Sequence, residues 1–253
     1  MRLQQAPVGT QTNSHPGIRL LLAAALLVGS TAPASAQYGG VTTYLGDYTG
    51  TAASKPARRA STSQSDKIGS VNIEQLVNDM RKGGYVIVLR HGATNANQAD
   101  TDPFHLDNVG AQRLLSETGR DVAKRVGDSF RALGIPIGEV YSSQFNRAAE
   151  TALLVSGKSP STTADLTEGG LVVSPAENAR RSNALKSMAL VIPESGSNTL
   201  IVTHKPNILD AFGKDWFDSR EGEASVFKPD GSDKLVVVAR VQAADWIRAA
   251  GGQ

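Results

Sequence analysis

Two histidines in this sequence directly follow apolar runs that have the length of buried β-strands. His91 lies in an Arg-His-Gly triplet after the run 85–89, and His204 lies in a Thr-His pair after the run 199–202. Open parallel sheets bind ligands at the carboxyl ends of their strands, so we expect both imidazoles at one ligand-binding edge. A neutral imidazole can attack phosphorus, and a guanidinium such as that of Arg90 can hold phosphate oxygens through paired hydrogen bonds. The residue types and their placement therefore fit phosphoryl transfer, with His91 as the nucleophile.

The elements that would carry these residues alternate between helical and strand-like apolar patterns. Helical periods are found at 73–80, 116–133 and 148–155. Strand patterns are found at 85–89, 140–141 and 199–202, and in a hairpin of 225–227 with 235–241. Asn72 and Ser116 are expected to cap the first two helices. The alternation predicts an α/β fold, a three-layer α/β/α sandwich with a mostly parallel central sheet and an antiparallel edge.

Three motifs follow one another along the chain. Arg-His-Gly-x-Thr-x-x-Asn spans 90–97, Ser-x-x-x-Arg-Ala-x-x-Thr-Ala spans 143–152, and His204 ends a later strand. Together they resemble the histidine phosphatase superfamily, which includes the cofactor-dependent phosphoglycerate mutases. The residues that the resemblance places in a phosphate pocket are Arg90, His91, Arg147 and His204, with Thr94 and Asn97 on the substrate side.

The resemblance implies hydrolysis of a phosphate monoester in two displacements through a phosphohistidine on His91. The residue types agree with this reaction, because guanidinium forks suit the oxygens of a dianionic phosphate better than a point charge does. A second imidazole, that of His204, would stabilise the negative charge of the transition state. The reaction needs no metal ion and no cofactor.

The role of general acid is open to three carboxyl groups. An oxygen leaving group needs a proton, and in many members of the superfamily a Glu follows the second motif. Glu168 lies at that place and is favoured, with Glu223 and Asp102 as rivals. In another branch an Asp directly follows the second histidine, but Lys205 stands there in this sequence.

The first 36 residues have the pattern of a secretory signal peptide. Arg2 and Arg19, with no acidic residue, precede an apolar run and small residues, and cleavage is expected after Ala36. The apolar run is about half of the ~20 residues needed to cross a bilayer. Residues 37–70, rich in Gly, Ser, Thr and Ala, are predicted to be a disordered linker. Residues 71–253 would then form a single histidine phosphatase-like domain of an exported bacterial protein, secreted or periplasmic.

Charge and composition argue against several classes of function. Without the predicted signal peptide, 24 basic residues balance 24 acidic ones, so the broad basic footprint of a nucleic-acid-binding protein is missing. The chain has no cysteine, which excludes disulfides and thiol catalysis. The sequence shows no compact cluster of His and carboxylates with metal-site spacing. We therefore predict no metal, no nucleic-acid partner and no membrane span.

Three functional hypotheses agree with these observations. The favoured one is a phosphatase for a small or lipid-linked phosphate monoester. The second is a phosphohistidine or phosphoprotein phosphatase, because the short stretch between the second motif and His204 has no large cap insertion and leaves the pocket open. The third is a phospho-ligand binding module with little turnover, which would follow if no carboxyl group were placed to act as the acid.

Overall fold

The computed structural model describes residues 72–169 and 173–252. The predicted signal peptide (1–36) and linker (37–70) lie outside the described residues, and so does the predicted cleavage after Ala36.

A single six-stranded sheet forms the centre of the described part of the chain, with strand order β3-β2-β4-β1-β5-β6. The strands are β1 (Val86–Arg90), β2 (Ile137–Ser143), β3 (Ser161–Thr163), β4 (Asn198–Thr203), β5 (Ala224–Phe227) and β6 (Val237–Val241). Strands β3, β2, β4 and β1 are parallel to one another, whereas β5 is antiparallel to β1 and β6 is antiparallel to β5. The predicted parallel sheet with an antiparallel edge is confirmed.

Helices cover both faces of this sheet. They are α1 (Ile73–Met80), α2 (Glu117–Ala132), α3 (Asn146–Ser156), α4 (Pro175–Ala189), α5 (Lys205–Phe212) and α6 (Ala243–Ala249). Buried side chains of α1, α2, α3 and α6 share one hydrophobic cluster with one face of the sheet, and those of α4 and α5 share a second cluster with the other face. The three-layer α/β/α prediction is therefore confirmed.

The caps expected from the sequence begin the first two helices. The side chain of Asn72 accepts hydrogen bonds from the amides of Glu74 (3.0 Å) and Gln75 (3.2 Å). Ser116 Oγ accepts one from the amide of Gly119 (3.0 Å). Each cap satisfies amides that have no partner inside the helix.

Strand β4 is buried along its whole length, and the side chain of its first residue forms hydrogen bonds with three other segments. The Asn198 side chain accepts from the Tyr85 amide (3.1 Å) and donates to the carbonyls of Met80 (2.9 Å) and Pro136 (2.8 Å). The loops that lead into β1 and β2 are thereby anchored beside β4. The carboxyl ends of these three strands consequently meet at one edge, where Arg90 pairs with Thr203 and Ser142 with Val202.

Candidate active site

His91 follows β1 at this edge and is held as a neutral imidazole. Its amide donates to the Thr203 carbonyl (3.0 Å), and its Nδ1 lies 2.8 Å from the Gly92 carbonyl oxygen. A carbonyl only accepts, so Nδ1 carries the hydrogen and Nε2 keeps the lone pair. Burial lowers the pKa of His91 from 6.5 to about 3, and the charges of Arg147 and Arg90 act in the same direction. At neutral pH, Nε2 is therefore a free nucleophile.

The loop that carries His91 is held in place by hydrogen bonds to two helices. The Gly92 amide donates to Thr151 Oγ1 on α3 (3.1 Å), and the Ala93 carbonyl accepts from the Ser116 amide (3.0 Å) at the start of α2. A Cβ added to Gly119 would come within 2.0 Å of the Ala93 oxygen. The first turn of α2 thus presses against the loop, and glycine at 119 permits that approach.

His204 follows β4 and faces His91, with 5.1 Å between the ring centroids. Its Nε2 lies 2.7 Å from Ser143 Oγ. Ser143 Oγ is 3.3 Å from Thr167 Oγ1, which in turn is 3.1 Å from the Thr163 carbonyl oxygen. A carbonyl only accepts, so Thr167 Oγ1 donates to the Thr163 carbonyl and Ser143 Oγ donates to Thr167 Oγ1. His204 Nε2 must then donate to Ser143 Oγ, so the ring hydrogen of His204 is on Nε2. Burial, with the charges of His91 and Arg147, holds the pKa of His204 well below its usual range.

Arg147, in the first turn of α3, is wholly buried and is held by two carboxylates. Its Nη1 donates to Asp100 Oδ1 (2.9 Å), and its Nη2 donates to Glu168 Oε1. Its guanidinium also lies over the Phe145 ring, with Cζ 4.1 Å from the centroid. Glu168 Oε1 is 3.6 Å from His204 Nδ1. The structure therefore brings Glu168 to both Arg147 and His204.

Two further arginines contribute positive charge. Arg90 Nη1 donates to the Ser219 carbonyl (2.7 Å) and Nη2 is 3.5 Å from Glu221 Oε1, so the turn after α5 orients this side chain. Arg113 is the site residue that the sequence analysis missed. Its charge acts to lower the pKa of His91, His204 and Arg90, which places it in the same electrostatic field. Arg113 lies outside the sequence motifs. The sequence feature that could have indicated its role is its position shortly before Ser116, the cap of α2.

Three buried nitrogens of the predicted pocket residues have no hydrogen-bond partner within the ranges that the structure describes. They are Nε of Arg90, Nε of Arg147 and Nδ1 of His204. Buried polar groups without a partner are costly, and they are rare in folded proteins. The oxygens of a bound anion would supply partners for the Nε–H groups of the two arginines. They would also supply a partner for His204 Nδ1, because a neighbouring negative charge favours protonation of this nitrogen.

The side chains of four other candidates from the sequence make no hydrogen bond with Arg90, His91, Arg147 or His204 in the described ranges. Thr94 pairs with Leu115 in an isolated β-bridge. Asn97 is exposed and makes no hydrogen bond or ion pair with Arg90, His91, Arg147 or His204 in the described ranges. Glu223 Oε1 accepts from Arg240 (2.6 Å) and its Oε2 accepts from Gln242 (2.6 Å). Asp102 pairs with the exposed His105 (2.8 Å). Of the three carboxyl candidates for the acid, only Glu168 has a carboxyl group that hydrogen-bonds the side chain of a predicted pocket residue in the described ranges.

Residues 86–172 match the histidine phosphatase superfamily, branch 1. The first two motifs of the superfamily, with His91 and Arg147, lie inside the matched segment, and Glu168 lies near its end. His204 lies outside it. The match supports the resemblance that the motifs indicate.

Solved structures to which this chain is similar include three phosphatases. The protein histidine phosphatase SixA complexed with tungstate is 18% identical, with a TM-score of 0.46 over 63% of this chain and 97% of its own. A phosphoserine phosphatase mutant from Entamoeba histolytica is 16% identical, with a TM-score of 0.45 over 63% and 97%. A mycobacterial glucosyl-3-phosphoglycerate phosphatase is 16% identical, with a TM-score of 0.43 over 62% and 97%. No curated protein matches the chain.

Within 72–169 and 173–252, no three His, Asp or Glu side chains gather in a way that could hold a metal ion. Over the same part of the chain, no helix combines the length and the apolar character that crossing a membrane requires.

Proposed function

We propose that this chain is a phosphatase that hydrolyses a phosphate monoester through a phosphohistidine on His91. One observation carries the proposal: the neutral imidazole of His91, with its free Nε2, shares the candidate site with Arg90, Arg147 and His204, each of which has a buried nitrogen with no partner in the described residues. Such a site suits an anion at bonding distance from a nucleophile. The match to the histidine phosphatase superfamily agrees with it.

In the first step, the lone pair of His91 Nε2 attacks phosphorus in line with the ester oxygen. The P–N bond forms as the P–O bond breaks, and the leaving oxygen takes a proton from the Glu168 carboxyl group. In the second step, water attacks phosphorus and gives a proton to the Glu168 carboxylate. The P–N bond then breaks, and both His91 and Glu168 return to their starting states. The guanidinium groups and His204 balance the charge on the phosphoryl oxygens throughout.

The free Nε2 of His91 favours turnover over the alternative of a binding module, because binding needs no buried nucleophile. Two classes of substrate are candidates: a phosphorylated small molecule and a phosphorylated protein side chain. The bond broken would be that of a phosphate ester or a phosphoamide. We also propose that the leader pattern at 1–36 directs the protein to the periplasm or the outside of the cell.

The test is capture of the intermediate. The full chain is mixed with ³²P-labelled phenyl phosphate, quenched in alkali within milliseconds, and digested to map the labelled peptide. We expect acid-labile label on His91. His91→Ala should lose nearly all hydrolysis and all label while its circular dichroism spectrum stays unchanged, since His91 follows β1 and belongs to neither hydrophobic cluster. Label on another residue, or a mutant that keeps most of the wild-type rate, would overturn the covalent mechanism.

A further inference from the structure

A cavity of about 440 Å³ opens beside the phosphate site. Its volume is in the range that holds a small organic ligand. Asp100 and Glu168, which both bind Arg147, form part of its wall, and so does Phe145, which contacts the Arg147 guanidinium and lies 5.4 Å from the His204 ring. A group attached to a phosphate in the candidate site can therefore extend directly into this cavity.

The other side of the cavity is formed by an ordered loop that presents apolar side chains. Pro103, Phe104 and Leu106 line it, and Phe104 is 75% exposed. The loop is held in place, because Gln112 Nε2 donates to the Leu106 carbonyl (2.6 Å) and the Thr101 amide donates to the Ala111 carbonyl (2.8 Å). An exposed phenyl ring on a fixed loop, next to a cavity, leaves apolar surface that a ligand would remove from water.

The charges on the cavity wall are unfavourable to an anion. Asp100 and Glu168 are acidic, and their Oδ2 and Oε2 atoms have no hydrogen-bond donor in the described part of the chain. Arg181, the one basic residue among the lining residues described, is engaged elsewhere. Its Nε donates to Glu177 (2.8 Å) and its Nη1 donates to the Thr167 carbonyl (2.8 Å). A negative group in the cavity would face two carboxylates that share the single positive charge of Arg147, and a guanidinium neutralised by Glu177, whereas a hydroxyl or ammonium group would find acceptors.

We propose that this cavity binds the leaving group of the ester and selects an apolar, uncharged or cationic alcohol over one that bears a carboxylate. This inference rests on the proposed function, since it assigns the substrate class of the same site. The phosphoryl group would bind at His91 and the alcohol would lie between Phe104 and Phe145, with its hydrogen-bond donors toward Asp100 and Glu168.

The first arm of the test compares 2-phenylethyl phosphate with carboxymethyl phosphate on the full chain. We expect a higher kcat/KM for the phenylethyl ester. Phe104→Ala should lower kcat/KM for that ester about five- to tenfold, the loss expected for removing roughly half of a phenyl contact, and should leave carboxymethyl phosphate within about twofold. Ile192→Ala, an exposed apolar truncation in the loop before β4, is the matched control and should change neither rate. Equal losses for both substrates would overturn the inference while leaving the phosphatase proposal intact.

The second arm does not depend on turnover. Calorimetry measures the binding of 3-phenylpropylphosphonate and of phosphonoacetate to wild type and to Gln144→Lys, which adds a cation to an exposed lining position. We expect the phenylpropyl compound to bind more tightly to wild type, and the Lys variant to gain affinity for phosphonoacetate alone. Tighter binding of phosphonoacetate to wild type would overturn the selectivity, whereas selective binding without hydrolysis of any ester would overturn only the proposed function.

Discussion

The assignment of Glu168 as general acid predicts a rate loss that depends on the leaving group. In Glu168→Gln the side-chain oxygen can still accept a hydrogen bond from Arg147 Nη2, so the change removes the transferable proton but keeps the packing. General acid catalysis contributes about 10²- to 10⁴-fold to a rate. For ethyl phosphate, whose alkoxide is a poor leaving group, we expect kcat to fall at least about 100-fold, or about 2.7 kcal/mol of transition-state stabilisation.

Phenyl phosphate should behave differently, because phenolate leaves with little help, and its kcat should fall less than about tenfold. The assay is steady-state release of phosphate from both substrates by wild type and variant. Glu223→Gln and Asp102→Asn are the matched controls and should leave the ratio between the two substrates unchanged. Equal losses of kcat for the two esters would refute the role of Glu168 as the acid, and a changed ratio in a control variant would transfer that role to its carboxylate.

Three further predictions follow from the same contacts. Arg147→Lys keeps the charge but loses the planar fork, so transition-state stabilisation should fall by about 1.5–3 kcal/mol; unchanged kcat/KM would place Arg147 outside the phosphate pocket. Folded His91 has a pKa of about 3 instead of 6.5, so the unfolded state binds more protons between these values. The free energy of unfolding should therefore fall as the pH is lowered, by up to about 1.4 kcal/mol per pH unit for this group. Urea denaturation between pH 4 and 7 should show a shallower dependence for His91→Asn, and an identical slope would contradict a neutral buried imidazole. Asn198→Ala removes side-chain hydrogen bonds to three segments and should cost about 2–4 kcal/mol of stability; a loss below about 0.5 kcal/mol in chemical denaturation would show that the three segments hold together without it.

Much of the fold could be predicted because its strongest signals are local. The runs before His91 and His204 are central strands, buried on both faces, and such strands read as continuous apolar segments. Helix α4 was missed because its buried residues are few: only Ser182, Leu185 and Ala189 among 15. Such a sparse pattern has little helical period. The three-residue strand β3 is likewise too short to give an alternating pattern.

The site was predictable where a residue adjoins a motif and not where its role depends on distant packing. Glu223 was a reasonable rival for the acid by sequence alone. Its engagement with Arg240 depends on the register of the hairpin, in which Ser225 pairs with Arg240 across two strands. Arg113 depends on the path of a loop that brings it back to the nucleophile, and no periodic pattern encodes such a path.

The carboxylate of Asp100 has a consequence for how occupancy of the pocket can be observed. Its Oδ1 accepts from Arg147 Nη1 (2.9 Å) and also from the backbone amide of Arg113 (2.9 Å). An anion that recruits Nη1 withdraws one of the two donors that hold this carboxylate, and the remaining hydrogen bond must then reorganise. The rate at which the Arg113 amide exchanges its hydrogen with deuterated water would change accordingly. The exchange rate of this single backbone amide would thus report ligand occupancy, and two-dimensional NMR spectroscopy could measure it in the protein without an attached probe.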